Sequence, residues 1–228
     1  AGVGKAGKGA AVTGLGELAL DGKLKRLLPA RLPRYLPTAM DRDTRSYLRD
    51  AFSGGELGLV SFKVKGDLDQ FPFSNGRAGV FQIATTLSNM NYAYALAPKQ
   101  KGAPTWPTLT QLYGDLALDR DTLTLTNARA NWVHPGSPGA VVPITRGTAG
   151  ISKLYDKATV TLNLEGRSTL ADALAVVNRS AVGALMGNAL ARSSVSGSAA
   201  YKVNLQIPLD DPDKTAIQGN LSLAGNDF

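Results

Sequence analysis

One histidine, His134, and no cysteine are the first constraint on any chemistry this chain could perform. A serine or cysteine hydrolase would have to route its proton through that single ring, and no Gly-x-Ser-x-Gly elbow supplies a nucleophile. His134 stands in Trp132-Val133-His134-Pro135-Gly136-Ser137-Pro138-Gly139, a loop composition, so a structural role is expected for it. With no thiolate and no second imidazole, the usual zinc donor sets are missing. Carboxylates gather as Asp41/Asp43, Asp119/Asp121 and Asp210/Asp211/Asp213. All three sets fall at expected turns or a helix start, where Asp accepts local backbone bonds, and none has the spacing of a calcium loop. Gly2-x-Gly4-x-x-Gly7 and Gly2-x-x-x-x-Gly7-Lys8 imitate nucleotide-binding loops, but no strand precedes them and Gly9 stands where a phosphate loop needs Ser or Thr. The expectation is a protein that is not an enzyme, with no catalytic residue, no cofactor and no metal.

The elements that would position any site are short strands. With 25 glycines, 12 prolines and only 19% charged residues in 228, the chain favours turns over long helices. From Gly58 to Val64 the alternation is strict, with Ser61, Lys63 and Lys65 opposite an apolar set. The same division recurs around Gln82 and Ala84, in Asn91 to Leu96, and at Asp115 and Asp119. It returns in Thr122 to Thr126, at Thr161 and Asn163, and at Lys202, Asn204 and Gln206. One wet and one apolar face per strand is the pattern of an antiparallel sheet covered on one side. Gly16-Glu17-Leu18-Ala19-Leu20-Asp21 matches Gly114-Asp115-Leu116-Ala117-Leu118-Asp119, which suggests a modular, elongated sheet.

Gly66-Asp67-Leu68-Asp69-Gln70-Phe71-Pro72-Phe73 reads as the point where one strand stops and the next begins, with Phe71 and Phe73 packed at a rim. Leu15 to Leu20 reads as a further strand, followed by a basic, proline-broken segment from Lys23 to Arg34. A helix is expected from Met40 to Ala51, capped by Thr38 or Asp41, with Tyr47, Leu48 and Phe52 as its apolar surface and Ser53-Gly54-Gly55 as its end. Trp106 to Tyr113 suits a short helical turn with Pro107 at its first position. Thr169-x-x-Asp172 resembles a capping box opening Leu170 to Asn178, and Ala189 to Arg192 could extend a second helix after Ser180. These helices are expected to plug or buttress the sheet. Residues 1 to 14 lack large side chains and read as a flexible lead-in, with 15 to 228 as one continuous segment and a sub-module boundary near 145–155.

A net charge of +7 suits anionic partners. Nucleic acid is disfavoured, because Phe62, Phe81, Tyr92 and Tyr94 share faces with aliphatics while Lys and Arg lie in turns and on the opposite face. No run approaches the ~18 apolar residues of a membrane span, so no span is expected within the chain. The chain begins without a signal-peptide core and stops at Gly225-Asn226-Asp227-Phe228 just after a strand-like stretch, which reads as an internal piece of something longer.

Several of these stretches together resemble the AsmA-like envelope proteins, and specifically the YhdP branch. The residues that carry the resemblance are Tyr35-Leu36-Pro37 ahead of the helix, Gly55-Glu56-Leu57, and Gly66 to Phe73 with its Phe-Pro-Phe turn. Gly79-Val80-Phe81-Gln82-Ile83, Trp106-Pro107-Thr108-Leu109, Gly114-Asp115-Leu116 and Ser198 to Leu209 follow in order. The resemblance implies a large periplasmic protein anchored in the inner membrane, carrying phospholipid toward the outer membrane along a curved, taco-like β-groove with two or three short helices packed at its ends or side. Its partners would be phospholipid, the remaining segments of the same chain and other envelope proteins. The groove would be lined by Val60, Phe62 and Val64; Phe81 and Ile83; Tyr92 and Tyr94; Leu116 and Leu118; Leu123 and Leu125; Val160, Leu162 and Leu164; and Val203, Leu205 and Ile207. The alternative reading is a closed β-sandwich that spaces or scaffolds envelope proteins.

Overall fold

The computed structural model describes residues 14–29, 31, 42–74, 76–96, 103–185, 187–211 and 214–224. The expected lead-in (apart from Gly14), the glycine motifs within it, and the helix caps Thr38 and Asp41 lie outside these residues. The strands are β1 (Glu17–Leu24), β2 (Phe52–Ser53), β3 (Glu56–Leu57), β4 (Val60–Asp67), β5 (Gly79–Tyr92), β6 (Thr108–Asp119), β7 (Thr122–His134), β8 (Ser137–Ser152), β9 (Thr159–Thr169), β10 (Ser198–Pro208) and β11 (Ala216–Ala224). The helices are α1 (Arg42–Ala51), α2 (Leu170–Asn178) and α3 (Ala181–Leu185).

All the strands form one 11-stranded sheet in the order β1-β4-β5-β6-β7-β8-β9-β10-β11, with β2 and β3 paired to β5 beyond the end of β4. Every pairing is antiparallel, and β6–β7 and β7–β8 are joined by two-residue turns at Arg120-Asp121 and Pro135-Gly136. The described residues build one sheet, not the two stacked layers of a sandwich. The expected mainly β fold with two or three short helices is therefore observed, as one open antiparallel sheet with three helices among the described residues, an arrangement consistent with a curved groove.

Curvature has a local cause. Register shifts fall between Leu87 and Met90 on β5, Thr110 and Tyr113 on β6, Leu125 and Ala128 on β7, and Ile144 and Arg146 on β8. On three of these strands the extra residue is left-handed: Asn89 at φ 51, Gln111 at φ 50 and Asn127 at φ 51. A bulge bends its strand and inverts the side-chain parity beyond it. Leu87 and Met90, Leu109 and Leu112, and Leu125 and Ala128 are thus three apart and still share the apolar face. Asn127 donates from Nδ2 to Asp115 Oδ2 at 2.7 Å, and Asn131 from Nδ2 to Gln111 Oε1 at 2.8 Å, bracing the bulges on the polar side.

The Gly66–Phe73 stretch behaves as read. Asp67 caps a 3-10 turn over Leu68–Gln70 by accepting from the Asp69 amide, and the chain then reverses into β5. The ring of Phe73 is fully buried, and a Cβ on Gly79 would stand 2.8 Å from it. Gly66, at φ +137, pairs across from Gly79, so the two glycines open the space that the ring fills. Phe71 packs edge-on to Phe73 with centroids 5.8 Å apart and against Phe81 at 4.8 Å.

Several local expectations are overturned. Trp106 to Tyr113 is not a helical turn: Pro107 is buried and Thr108 opens β6, because Thr108 and Thr110 pair with Val133 and Asn131, and cross-strand pairing outweighs the proline cue. Phe52 is not on the helix, which ends at Ala51; it belongs to β2 and stacks on Tyr92 at 4.6 Å. The alternation through Tyr94 and Leu96 is not strand, since β5 ends at Tyr92. Trp132 to Gly139 is not a loop: it closes β7, turns at Pro135-Gly136 and starts β8. The first strand begins at Glu17 and runs on to Leu24, pairing with β4 throughout. Ala189 to Arg192 forms turns, and the helix after Ser180 is the five-residue α3. α2 begins as expected, with Thr169 Oγ1 accepting from the Asp172 amide at 3.0 Å.

Candidate functional site: a half-covered apolar trough

The register brings most of the nominated apolar residues into transverse rows. Phe62, Ile83, Leu118 and Leu123 face one another on successive strands, and the row continues through Ile151 and Val160 to Ile207. A second row joins Thr85, Leu116, Leu125, Ala149, Leu162, Leu205 and Ile217. Leu164 and Val203 form part of a third, and Val64 lies opposite Phe81. A row that crosses seven strands is about 29 Å long at about 4.8 Å per strand.

The bulges divide this face into two halves. On the side toward the β6–β7, β8–β9 and β10–β11 hairpins, residues such as Ile83, Leu118, Leu123, Val160, Leu162 and Leu205 are only half-buried. At the sheet's end Ile217 and Leu221 are 67% and 59% exposed. On the other side the face is filled. Leu87, Met90, Leu112, Ala130 and Ile144 form a buried cluster with Leu57 and Leu27, the last two joined by paired backbone bonds. Val176 of α2, wholly buried, seats on Ala140 and Val142 of β8, with Trp132 and Tyr201 beside them.

An aromatic cluster closes the same half near α1. Tyr47 Oη donates to the Tyr94 carbonyl at 3.0 Å, so in its 2.9 Å contact with Tyr92 Oη the Tyr92 hydroxyl is the donor. Trp132 Nε1 donates to Tyr94 Oη at 3.0 Å, and Trp106 packs edge-on to Tyr94. Burial, reinforced by the bond to Tyr47, pushes the Tyr92 phenol far up, and burial also raises Tyr94. Tyr201 is pushed up to about 12 by burial, and its hydroxyl donates to the Pro143 carbonyl at 2.7 Å. Of the nominated residues, Tyr92 and Tyr94 thus lie in this hydrogen-bonded cluster, Val60 is buried beside Leu24, and the others lie on the more open face.

The residues that the alternation missed are those of β8 and the upper part of β7. Ala128-x-Ala130-x-Trp132-x-His134 and Ala140-x-Val142-x-Ile144 alternate as strands do, but small residues and the surrounding Pro and Gly mask the signal. His134 is a brace of this region. Its Nδ1 accepts from the Gly136 amide at 3.1 Å, so the ring proton is on Nε2, which donates to Thr105 Oγ1 at 2.9 Å. Arg179 ties α2's end to the same hairpin, donating to Ser137 Oγ at 2.7 Å and to the Gly136 carbonyl at 3.2 Å.

The polar face carries Lys63, Lys65, Gln82, Thr124, Asn163 and Lys202. On it Glu165 accepts from Lys202 at 2.8 Å, which holds its carboxyl below the usual range, with Arg146 at 3.6 Å. Among the described residues no group of His, Asp and Glu could hold a metal ion, and no helix is long and apolar enough to cross a membrane.

No curated protein and no solved structure matches this chain. The family model described as YhdP protein matches residues 5–228, including every strand of the trough. The chain therefore belongs to the YhdP family.

Proposed function

We propose that the chain is a non-enzymatic segment of an envelope protein that shields phospholipid acyl chains during transport between the inner and outer membranes. The observation that carries this reading is the partly exposed apolar face, continuous across strands without a charged residue in either of its long rows. An acyl chain of about 16 methylenes loses on the order of 13 kcal/mol of favourable burial in water, at ~0.8 kcal/mol per CH2. Half of a ~30 Å bilayer core is about 15 Å, so the rows are long enough to hold an extended chain lying across the strands. The polar outer face lets such a segment stand in the periplasm, joined to further segments of a longer chain anchored in the inner membrane.

The test is where lipid touches the protein. Photo-crosslinkers at Leu162 and Val203 should capture phospholipid, while those at Gln82 and Asn163 on the opposite face should not. Native mass spectrometry of the purified chain should find co-bound phospholipid. Equal labelling of the two faces, or a lipid-free protein, would refute the reading.

A further inference from the structure

The open rows of the trough end at a lip whose chemistry differs from that of either face of the sheet. Leu118 pairs with Leu123 across the β6–β7 hairpin, with only Asp119 to Thr122 between them, and Ile151 pairs with Val160 just before the β8–β9 connection. Lys153 is two residues from that row, about 7 Å at ~3.3 Å each. The two connections touch: the Leu154 amide donates to the Asp121 carbonyl at 2.8 Å, and burial together with the Asp121 carboxylate pushes the Tyr155 phenol up. Both signs of charge alternate over them, with Asp119, Asp121 and Asp156 matched one for one by Arg120, Lys153 and Lys157. Asp119 and Arg120 pair with each other at 3.1 Å, but among the described residues Asp121, Lys153, Asp156 and Lys157 form no ion pair. Arg120 engages Asp119 through Nε and Nη2, while its Nη1 borders Gly76. A cleft of about 520 Å³ opens there, walled by Ser74, Arg120, Asp121 and Thr122, within the size range of small-ligand sites. Phe71, Tyr155 and Leu209, each about half exposed, stand in the connections of the same lip. Such side chains collect where hydrocarbon meets polar headgroups.

We propose that this lip is the headgroup seat of the trough and that it selects zwitterionic, phosphoethanolamine-type lipids, the phosphate held by Arg120 Nη1 and Lys153 and the ammonium by Asp121. This rests on the lipid-shielding reading above and names the lipid class that the trough takes. A headgroup with a phosphate alone meets one guanidinium set between two carboxylates, and Asp121 repels it. A phosphate that carries an ammonium satisfies both signs, and the ammonium gives Asp121 a charge-assisted hydrogen bond, the stronger kind.

The experiment incubates the whole chain with vesicles holding equal amounts of phosphatidylethanolamine and phosphatidylglycerol with identical acyl chains, and counts each bound lipid by native mass spectrometry. Expected is an excess of phosphatidylethanolamine of about two- to fivefold, the range for exposed charge contacts. Asp121→Asn should bring the two lipids to equal amounts without lowering their sum, and Asp121→Lys should favour phosphatidylglycerol. Asn204→Lys, a cation added on the polar face away from the lip, should leave the preference as it was. Lipid bound without preference, or a preference that Asp121→Asn leaves intact, overturns the seat and spares the trough. Failure to bind any lipid overturns both. Should Asp121→Lys fold poorly, the unaltered chain and Asp121→Asn decide the matter alone.

Discussion

The two halves of the apolar face are made from the same strands and differ in what lies over them. Toward the hairpins, Leu118, Leu123, Val160 and Leu162 stand half-buried in rows. Past the bulges, Met90, Leu112 and Val176 are almost completely buried. An antiparallel sheet needs an apolar partner on one side only, and here the partner covers part of that side. The covered half secures the fold; the open half is left with apolar surface whose burial awaits something else. On the lipid-shielding function proposed above, the covered half serves stability and the open half binding, so the two can be disturbed independently.

The largest expected effect is on the covered half. Met90→Ala should cost about 2–5 kcal/mol, because the surrounding cluster cannot collapse into the space, whereas Leu162→Ala should cost less and fall mainly on bound lipid. Urea unfolding of the two variants beside lipid counting checks this; equal stability losses would erase the distinction between the halves. Thr169→Ala, which removes the cap of α2, should cost about 1 kcal/mol and raise exchange in α2 first.

Alkali should act on the covered half next. The folded phenols of Tyr92, Tyr94 and Tyr201 titrate above their ordinary value of 10.0, Tyr201 at about 12. A raised folded value means that the stabilisation is complete below about pH 10 and is lost as pH rises through the folded values, since the unfolded chain ionises first. Tryptophan emission should therefore change above about pH 10, with little change between pH 7 and 9. The smallest effect is expected on the polar face, where Gln82→Ala and Asn204→Ala should stay within about 0.5 kcal/mol and leave lipid capture at Val203 unchanged.

How much of this was legible differs by element. Val60, Phe62 and Val64 on β4 and Val203, Leu205 and Ile207 on β10 alternate with polar residues, and that pattern alone places them on one face. Thr169 and Asp172 announced the start of α2, and Phe-Pro-Phe announced the corner that Phe73 fills. β8 was hidden, because Pro138, Gly139, Pro143, Gly147 and Gly150 are turn residues by local preference and become strand only through pairing with β7 and β9. The bulges were hidden too: Asn89, Gln111 and Asn127 look like ordinary polar positions until a partner strand sets the register.

The sequence by itself determined the class of fold and the sidedness of its strands, since period-two alternation and frequent turn residues are local properties of the chain. The YhdP family model spans residues 5–228, which include all of those strands. Only the tertiary structure decided which apolar residues are core and which are surface. Ile83 and Met90 carry similar signals in sequence, yet one is only partly buried and the other is 2% exposed. The difference comes from the bulges and from the aromatic cluster and α2 beyond them, and burial depends on what the rest of the chain brings over a face.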